Sequence, residues 1–259
     1  MTTYLDAIGE FHRARAQADP RSWTSRVDGL WYTGPSLSTH LSEGPNVAVI
    51  SEVKRRSPSK GWLAEDLDAA ATARLYADGG ATAISVLTDL PHFGGTLDDL
   101  AAVRRAVDLP VLRKDFTVCE NDVLDALEWG ASAVLLIVAL LSDDELARLH
   151  ALARTVNLDA LVEVHDEAEA SRALRAGATL IGVNQRDLHT FAVDSLRAAR
   201  VAQSLPHDIV KVAESGLRSA DDVRVAGEAG FHAVLVGESF VTDASPGERV
   251  RDFAGVARP

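Results

Sequence analysis

Cysteine is almost missing from this chain: Cys119 is the only one in 259 residues. No disulfide can form within the chain, so nothing ties it to an oxidising compartment. With no neighbouring histidine to activate it, Cys119 reads as a packing residue. Long apolar runs are missing too. Residues 1–17 interleave Asp6, Glu10, Arg13 and Arg15 with their apolar positions, which excludes the continuous core of a signal peptide. No stretch approaches the roughly 20 apolar residues needed to span a bilayer, and a cytoplasmic protein is expected. Positive charge is in deficit, with 26 Lys and Arg against 38 Asp and Glu, a net charge of −12. Such a surface repels nucleic acid and anionic membranes, so neither is expected as a partner. There is no G-x-G-x-x-G after the first strand-like run, no linker and no low-complexity segment. The histidines show no metal-ligand spacing, and no metal is expected.

What is present is a repeating pattern. Short runs rich in Val, Ile, Leu and Ala recur at Val47–Val53, Thr82–Leu87, Val111–Arg113, Ala133–Val138, Ala160–Val164, Leu180–Val183, Ile209–Ala213 and Ala233–Val236. They lack polar alternation, as strands do when both faces are buried in a parallel sheet. Between them lie helical stretches: Asp68–Asp78, Leu97–Val107, Asn121–Trp129, Ser142–Arg154, Asp166–Ala176, Asp194–Gln203 and Ser219–Ala229. Helix ends marked by Gly80, Gly130, Gly177 and Gly230 recur about every fifty residues, two βα units apart. Eight strands in that rhythm, in a chain near the ~250 residues such folds need, point to an α/β chain folded as a single (β/α)8 barrel, a TIM barrel, spanning 1–259. Residues 1–46 precede the first strand. Thr3–Ala18 reads as an amphipathic helix with Leu5, Ile8 and Phe11 on one stripe, and the whole segment as an N-terminal helical extension packed on the barrel.

A barrel of this kind works at the C-terminal ends of its strands, and polar residues gather there. Glu52 and Lys54 end the first strand two residues apart and therefore face the same way. The run Lys54, Arg55, Arg56, Ser57, Pro58, Ser59, Lys60, Gly61 reads as a mobile loop that attracts an anion; a cationic pocket in an acidic protein suits a small anion better than a long polyanion. Phe93 beside Gly94 and Gly95 either lies over a ligand or anchors its loop. Lys114 ends the third strand, and an uncharged fourth strand with Leu135 supplies an apolar wall. Glu163 stands in the otherwise apolar fifth strand, where an unpaired charge is costly, so it reads as functional. Asn184 and Arg186 alternate at the end of the sixth strand, and Glu214-Ser215-Gly216 ends the seventh. Gly237-Glu238 ends the eighth. Glycine-bearing turns after the last two strands are the common phosphate site of such barrels.

These strings, in order, resemble the indole-3-glycerol-phosphate synthases of tryptophan biosynthesis. They are Glu52–Gly61, Leu112–Phe116, Val134–Val138, Val162–Asp166, Gly182–Leu188 and Ala213–Leu217, and the likeness spans Val47 to Phe240. The resemblance implies a carboxy-lyase that closes the indole ring of 1-(2-carboxyphenylamino)-1-deoxyribulose 5-phosphate with loss of carbon dioxide and water. It implies Lys114 as general acid and Glu163 as general base, with Glu52 and Lys54 positioning the reacting groups. Asn184, Glu214 and Ser215 would hold sugar hydroxyls, and Arg186 the substrate carboxylate. Phe93, Phe116 and Leu135 would form the ring pocket, and Ser57, Gly216, Gly237 and the backbone of Glu238 the phosphate grip. A carboxylate facing phosphate would repel it, so the Glu238 side chain is expected to turn outward. The resemblance implies no cofactor, because the ring's own carboxylate departs. The partner implied is this small phosphorylated, anthranilate-derived substrate, and a monomer is expected. His165 reads as a capping or loop residue, and Trp62 has no assigned role.

Three other readings stand beside this one. A sugar-phosphate isomerase on the same fold would want a Cys or Asp acid–base pair at early and middle strand ends. A non-catalytic sensing barrel would have lost the charged mouth residues. A relative serving specialised metabolism would keep all of them.

Overall fold

The computed structural model describes residues 4–58, 60–186 and 194–259. All eight expected strands form, each within one residue of its expected bounds. In chain order they are β1 (Ala48–Val53), then, after a short hairpin of β2 (Arg56–Ser57) and β3 (Gly61–Trp62), β4 (Ala83–Leu87), β5 (Val111–Lys114), β6 (Ala133–Ile137), β7 (Asp159–Val164), β8 (Leu180–Asn184), β9 (Val210–Glu214) and β10 (Ala233–Val236). β1 and β4 to β10 pair in parallel and close on one another, β1 bonding both β4 and β10.

Alternation along each strand sorts the side chains. Val49, Ile84, Val134, Leu136, Val162, Ile181 and Val183 point outward and are buried beneath the helices. Ile50, Leu112, Leu135, Leu161, Leu180, Val212 and Leu235 point inward and fill the barrel. Each such side chain contributes about 1.5–3 kcal/mol on burial. Glu52, Lys114, Glu163 and Glu214 share the inward parity two positions further along, and Asn184 four, so the packing that fixes the core also aims these groups into the mouth.

Thirteen helices are described. α1 (Tyr4–Ala18), α2 (Trp23–Arg26) and α3 (Leu37–Ser42) belong to the extension, and α4 (Ala69–Asp78) follows the hairpin. Next come α5 (Leu90–Phe93), α6 (Leu97–Ala106), α7 (Glu120–Glu128), α8 (Asp143–Thr155), α9 (Glu167–Arg175), α10 (Ser195–Ser204), α11 (Ala220–Glu228), α12 (Glu238–Val241) and α13 (Pro246–Ala254). Their starts are written in the sequence. Thr96 and Asp99, Ser142 and Glu145, and Ser219 and Asp222 form reciprocal capping boxes. Their ends use Gly80, Gly130, Gly177 and Gly230, all in the left-handed region.

The extension runs from one end of the barrel to the other. α1 lies across the mouth: Arg13 reaches the Leu140 carbonyl and Glu145, and Arg15 bonds Asp122 at 2.7 Å. Arg21 and Arg26 then clamp Asp125 of α7. Tyr32 donates or accepts at Ser132, 2.5 Å away, below β6. Finally α3 plugs the floor, with Leu37 and Leu41 fully buried among the inward residues and Ser36 and Ser38 bonded to Asp159 at the foot of β7.

Three expectations need correcting. The buried stripe of α1 is Leu5, Ile8, Gly9 and His12, while Phe11 is 45% exposed, because positions i, i+3, i+4 and i+7 share one helix face and Phe11, at i+6, falls beside it. The basic loop after β1 is a paired hairpin. Arg55 bonds Asp99 and the carbonyls of Leu67 and Gly94, and Arg56 lies over the Trp62 ring. Trp62 itself packs on Gly94, where any Cβ would lie 2.7 Å from the indole. Of the four cations in this run, Lys54 and Lys60 line the mouth, with Ser57 and Pro58 between them. Lastly, histidines do cluster: His12 of α1 meets Asp89 and His92 beyond β4. Helix docking brings them together, so sequence spacing gave no sign of it. Ser59, Asp187 and Leu188, parts of two motifs, lie outside the described residues.

Candidate active site

A cavity of about 510 Å³ opens at the C-terminal ends of the strands, within the 300–1,000 Å³ of small-molecule sites. Its lining includes Glu52, Lys54, Ser57, Phe93, Lys114, Phe116, Leu135, Glu163, Asn184, Arg186, Glu214, Ser215, Gly216, Gly237 and Glu238. Every site residue named from the sequence thus meets in one space.

The centre is Lys114. Its Nζ lies 3.5 Å from Glu163 and 3.8 Å from Glu214. Burial alone would pull the ammonium toward neutrality, but Glu163, Glu214 and Glu52 push its pKa above the ordinary lysine value. The two carboxyls diverge. Burial raises Glu163, yet Lys114, His165 and an Asn184 amide 3.1 Å away outweigh it and hold it below the usual range. Burial, then the charges of Glu163 and Glu52, drive Glu214 well above that range. The two carboxyls are thus pushed in opposite directions, Glu163 toward its charged form and Glu214 toward its neutral one. An acid and a base side by side with pKa values pushed apart is the arrangement proton-transfer sites use.

Around this centre stand the supports. Glu52 and Lys54 pair at 2.6 Å on β1. His165 follows β7, its ring 3.0 Å from Glu169 and 3.6 Å from Glu163. Burial lowers its pKa, but these two carboxylates more than restore it, so the net shift is upward. The Asn184 carbonyl accepts from the Arg186 backbone N–H at 3.0 Å.

Two ends of the cavity differ in character. On one side Phe93 and Phe116 stand 6.1 Å apart, with Leu135, Ile137, Leu5 and Ile8 beside them, forming an apolar slot. On the other are the turns after β9 and β10. Ser215 (φ 68°) and Gly216 (φ 78°) are both left-handed; for serine this stores on the order of 1 kcal/mol or more, the kind of strain found where a backbone is bent to serve a site. Lys60, Arg218 and Arg249 line this end as well. Glu238 does not turn away into solvent. Its carboxylate spans the rim to Lys60, 2.5 Å away, and despite burial this cation keeps it more acidic than usual.

Cys119 stands apart from the cavity, its thiol pushed up to about 11 by burial and by Asp122, so it is not poised as a nucleophile.

A family model for indole-3-glycerol phosphate synthase matches residues 30–253. The chain belongs to that family. It is 56% identical over 209 residues to the indole-3-glycerol phosphate synthase of Nocardioides sp. strain JS614, covering 81% of this chain and 80% of that one. It is 51% identical over 254 residues to that of Mycobacterium sp. strain KMS, covering 97% and 93%. Among solved structures, a thiamine phosphate pyrophosphorylase from Pyrococcus furiosus matches 80% of this chain and 93% of its own at a TM-score of 0.61 and 18% identity. An N-acetylmannosamine-6-phosphate 2-epimerase from Clostridium perfringens matches 80% and 92% at 0.63 and 12%. These two likenesses bear on the barrel fold alone.

Several residues of this family member escaped the sequence reading. Tyr4, Leu5 and Ile8 of α1 line the cavity, yet nothing in an amphipathic stripe says which surface it covers. Gly182 in β8 looked like an ordinary strand residue. A Cβ there would lie 2.0 Å from Glu214 Oε1, so its missing side chain is the space Glu214 occupies. Gly237 has a similar second duty, since a Cβ would lie 2.4 Å from Glu52 and 3.1 Å from Lys54. The inward parity of Gly182, two before Asn184, was the available signal. Among the described residues, no helix is long and apolar enough to cross a membrane.

Proposed function

We propose that this chain converts 1-(2-carboxyphenylamino)-1-deoxyribulose 5-phosphate into indole-3-glycerol phosphate, carbon dioxide and water, acting as a monomer in the cytoplasm. The observation that carries the reading is the Lys114 ammonium, 3.5 Å from Glu163 and 3.8 Å from Glu214. A cation and two carboxyls whose pKa values are pushed apart converge on one point between an apolar slot and a phosphate-suited pair of turns.

The substrate's aryl ring lies in the slot of Phe93, Phe116 and Leu135, and its phosphate against the backbone of Gly216, Gly237 and Glu238, with Ser57 and Lys60 at hand. Lys114 donates its proton to the ribulose carbonyl oxygen, making that carbon electrophilic enough for the carboxyl-bearing ring carbon to attack. The new carbon–carbon bond leaves that ring carbon tetrahedral. Loss of its carboxylate as carbon dioxide returns the electron pair to the ring. The hydroxyl then departs as water, taking a proton from Lys54 while Glu163 removes one from the neighbouring carbon, with Glu52 holding Lys54 in place. Asn184, Glu214 and Ser215 hold the sugar hydroxyls, and Arg186 the ring carboxylate until it leaves. Low dielectric strengthens each of these contacts.

The test follows indole fluorescence after mixing protein and substrate, beside Lys114→Ala and Glu163→Gln. The expected result is indole formation that falls about 10²–10⁴-fold in kcat in each variant. A folded wild type that binds the substrate without forming indole refutes the reaction; full activity in either variant refutes the role given to that residue. Sedimentation of the purified chain at micromolar concentration checks the monomer.

A further inference from the structure

The roof of the cavity is fastened by a group of side chains that the reaction does not use. His12 of α1 is 3% exposed, and neither of its ring nitrogens has a hydrogen-bond partner. Its Nε2 points at Asp89 Oδ2, 3.7 Å away. Asp89, also 3% exposed, takes a 2.7 Å contact from His92 Nδ1, while its second oxygen is buried without a partner. One nitrogen of each imidazole and one Asp89 oxygen lie within 4.8 Å of one another. Three orphaned polar atoms in so small a volume call for an occupant, since buried donors and acceptors are almost always satisfied.

We propose that His12, Asp89 and His92 form a site for a divalent transition-metal ion, Zn²⁺ being the best fit, that clamps α1 to the segment following β4. Two imidazoles and a carboxylate select zinc-like ions over Mg²⁺ or Ca²⁺, which prefer all-oxygen shells. Ligand atoms around tetrahedral zinc at about 2.0–2.1 Å are roughly 3.3 Å apart, between the 2.7 Å of the His92–Asp89 contact and the 3.7 Å of the His12–Asp89 contact. Three protein ligands leave a fourth position for water. Phe11 packs edge-on against both rings, at 5.2 Å from His12 and 5.6 Å from His92, and Tyr4 stands 6.3 Å from His92; this apolar shell lowers the local dielectric and strengthens ligation. The His92 side chain remains 22% exposed and gives the ion a way in. On its inner side the His12 ring lies 5.2 Å from Phe116, a wall of the slot, so the clamp holds the roof where the aryl ring is to sit. It does not depend on which reaction the cavity performs.

Co²⁺ is the probe, because its visible d–d bands become intense in a tetrahedral field. Titration of the purified, metal-stripped chain should give one saturable site, displaced by stoichiometric Zn²⁺ and untouched by Mg²⁺. His92→Ala, a rim position whose loss leaves the core intact, should weaken it by more than about 100-fold, beyond the 10–100-fold that outer-shell changes cost. His12→Gln tests the α1 side in the same way. Zn²⁺ should also slow tryptic cleavage after Arg13 and Arg15 in the wild type and not in His92→Ala. No saturable tetrahedral spectrum in the wild type overturns the site. A spectrum that survives both substitutions places the ion elsewhere and overturns it equally, and protease protection that persists in His92→Ala overturns the clamp.

Discussion

Replacing Lys114 by methionine keeps most of the side chain's volume and removes its charge. Glu163 then loses the cation 3.5 Å away while remaining 2% exposed. Stripping one partner from a buried pair costs about 3–5 kcal/mol, and relief of the lysine's own desolvation favours the low end, about 3 kcal/mol. For a chain of this size that is a fall in Tm of about 6–12 °C. The loss must depend on pH. In the wild type Glu163 is held below its unfolded pKa, so it adds stability above that value and loses it as pH falls. Without Lys114, burial dominates, and its folded pKa rises above the unfolded one. The variant is then penalised progressively as pH climbs from about 4.5, with the full penalty above the new folded pKa. Melting curves of both proteins at pH 5 and pH 8 should show a markedly larger gap at pH 8. An equal gap at both, or a larger one at pH 5, would refute the assignment of Glu163 as the carboxylate that Lys114 keeps ionised.

Other substitutions test the remaining geometry. Gly182→Ala pushes a methyl into the space of Glu214 Oε1; displacing that carboxyl by about 1 Å should cost roughly 100-fold in kcat/KM, measured by indole fluorescence, in a protein that still melts cooperatively. Glu238→Gln removes a negative charge from the phosphate end and frees Lys60. Repulsion of about 1 kcal/mol at the rim predicts a KM lowered roughly fivefold with kcat unchanged. Tyr32→Phe breaks the buried contact with Ser132 and should cost about 1 kcal/mol in urea melts. A chain lacking residues 1–46 would bare the inward leucines that α3 covers; light scattering should show it aggregating, and a monodisperse, folded product would contradict the account of the floor.

The strands were legible because burial on both faces leaves unbroken apolar runs, and the helix starts because capping is a local bargain between neighbours such as Ser142 and Glu145. The mouth followed from parity: once Ile50 and Leu161 point inward, so do Glu52 and Glu163. What could not be read depends on where separate segments dock. His12 meets Asp89 and His92 only because α1 crosses the strand ends, and Arg55 turns away from the cavity because Asp99 of α6 waits for it. For Gly182 the parity showed only that the position faces inward; that its missing side chain makes room for Glu214 shows only beside that carboxyl.

The path of the extension also bears on how the protein is made. Leu37 and Leu41 rest against β1, β4 and β9, and β1 must also find β10. At roughly 5–20 residues per second, about 10–30 s separate the synthesis of α3 from that of β9. Through that interval a leucine-bearing segment emerges from the ribosome without its complete seat, so a segment translated before every strand of the barrel is among the last to settle.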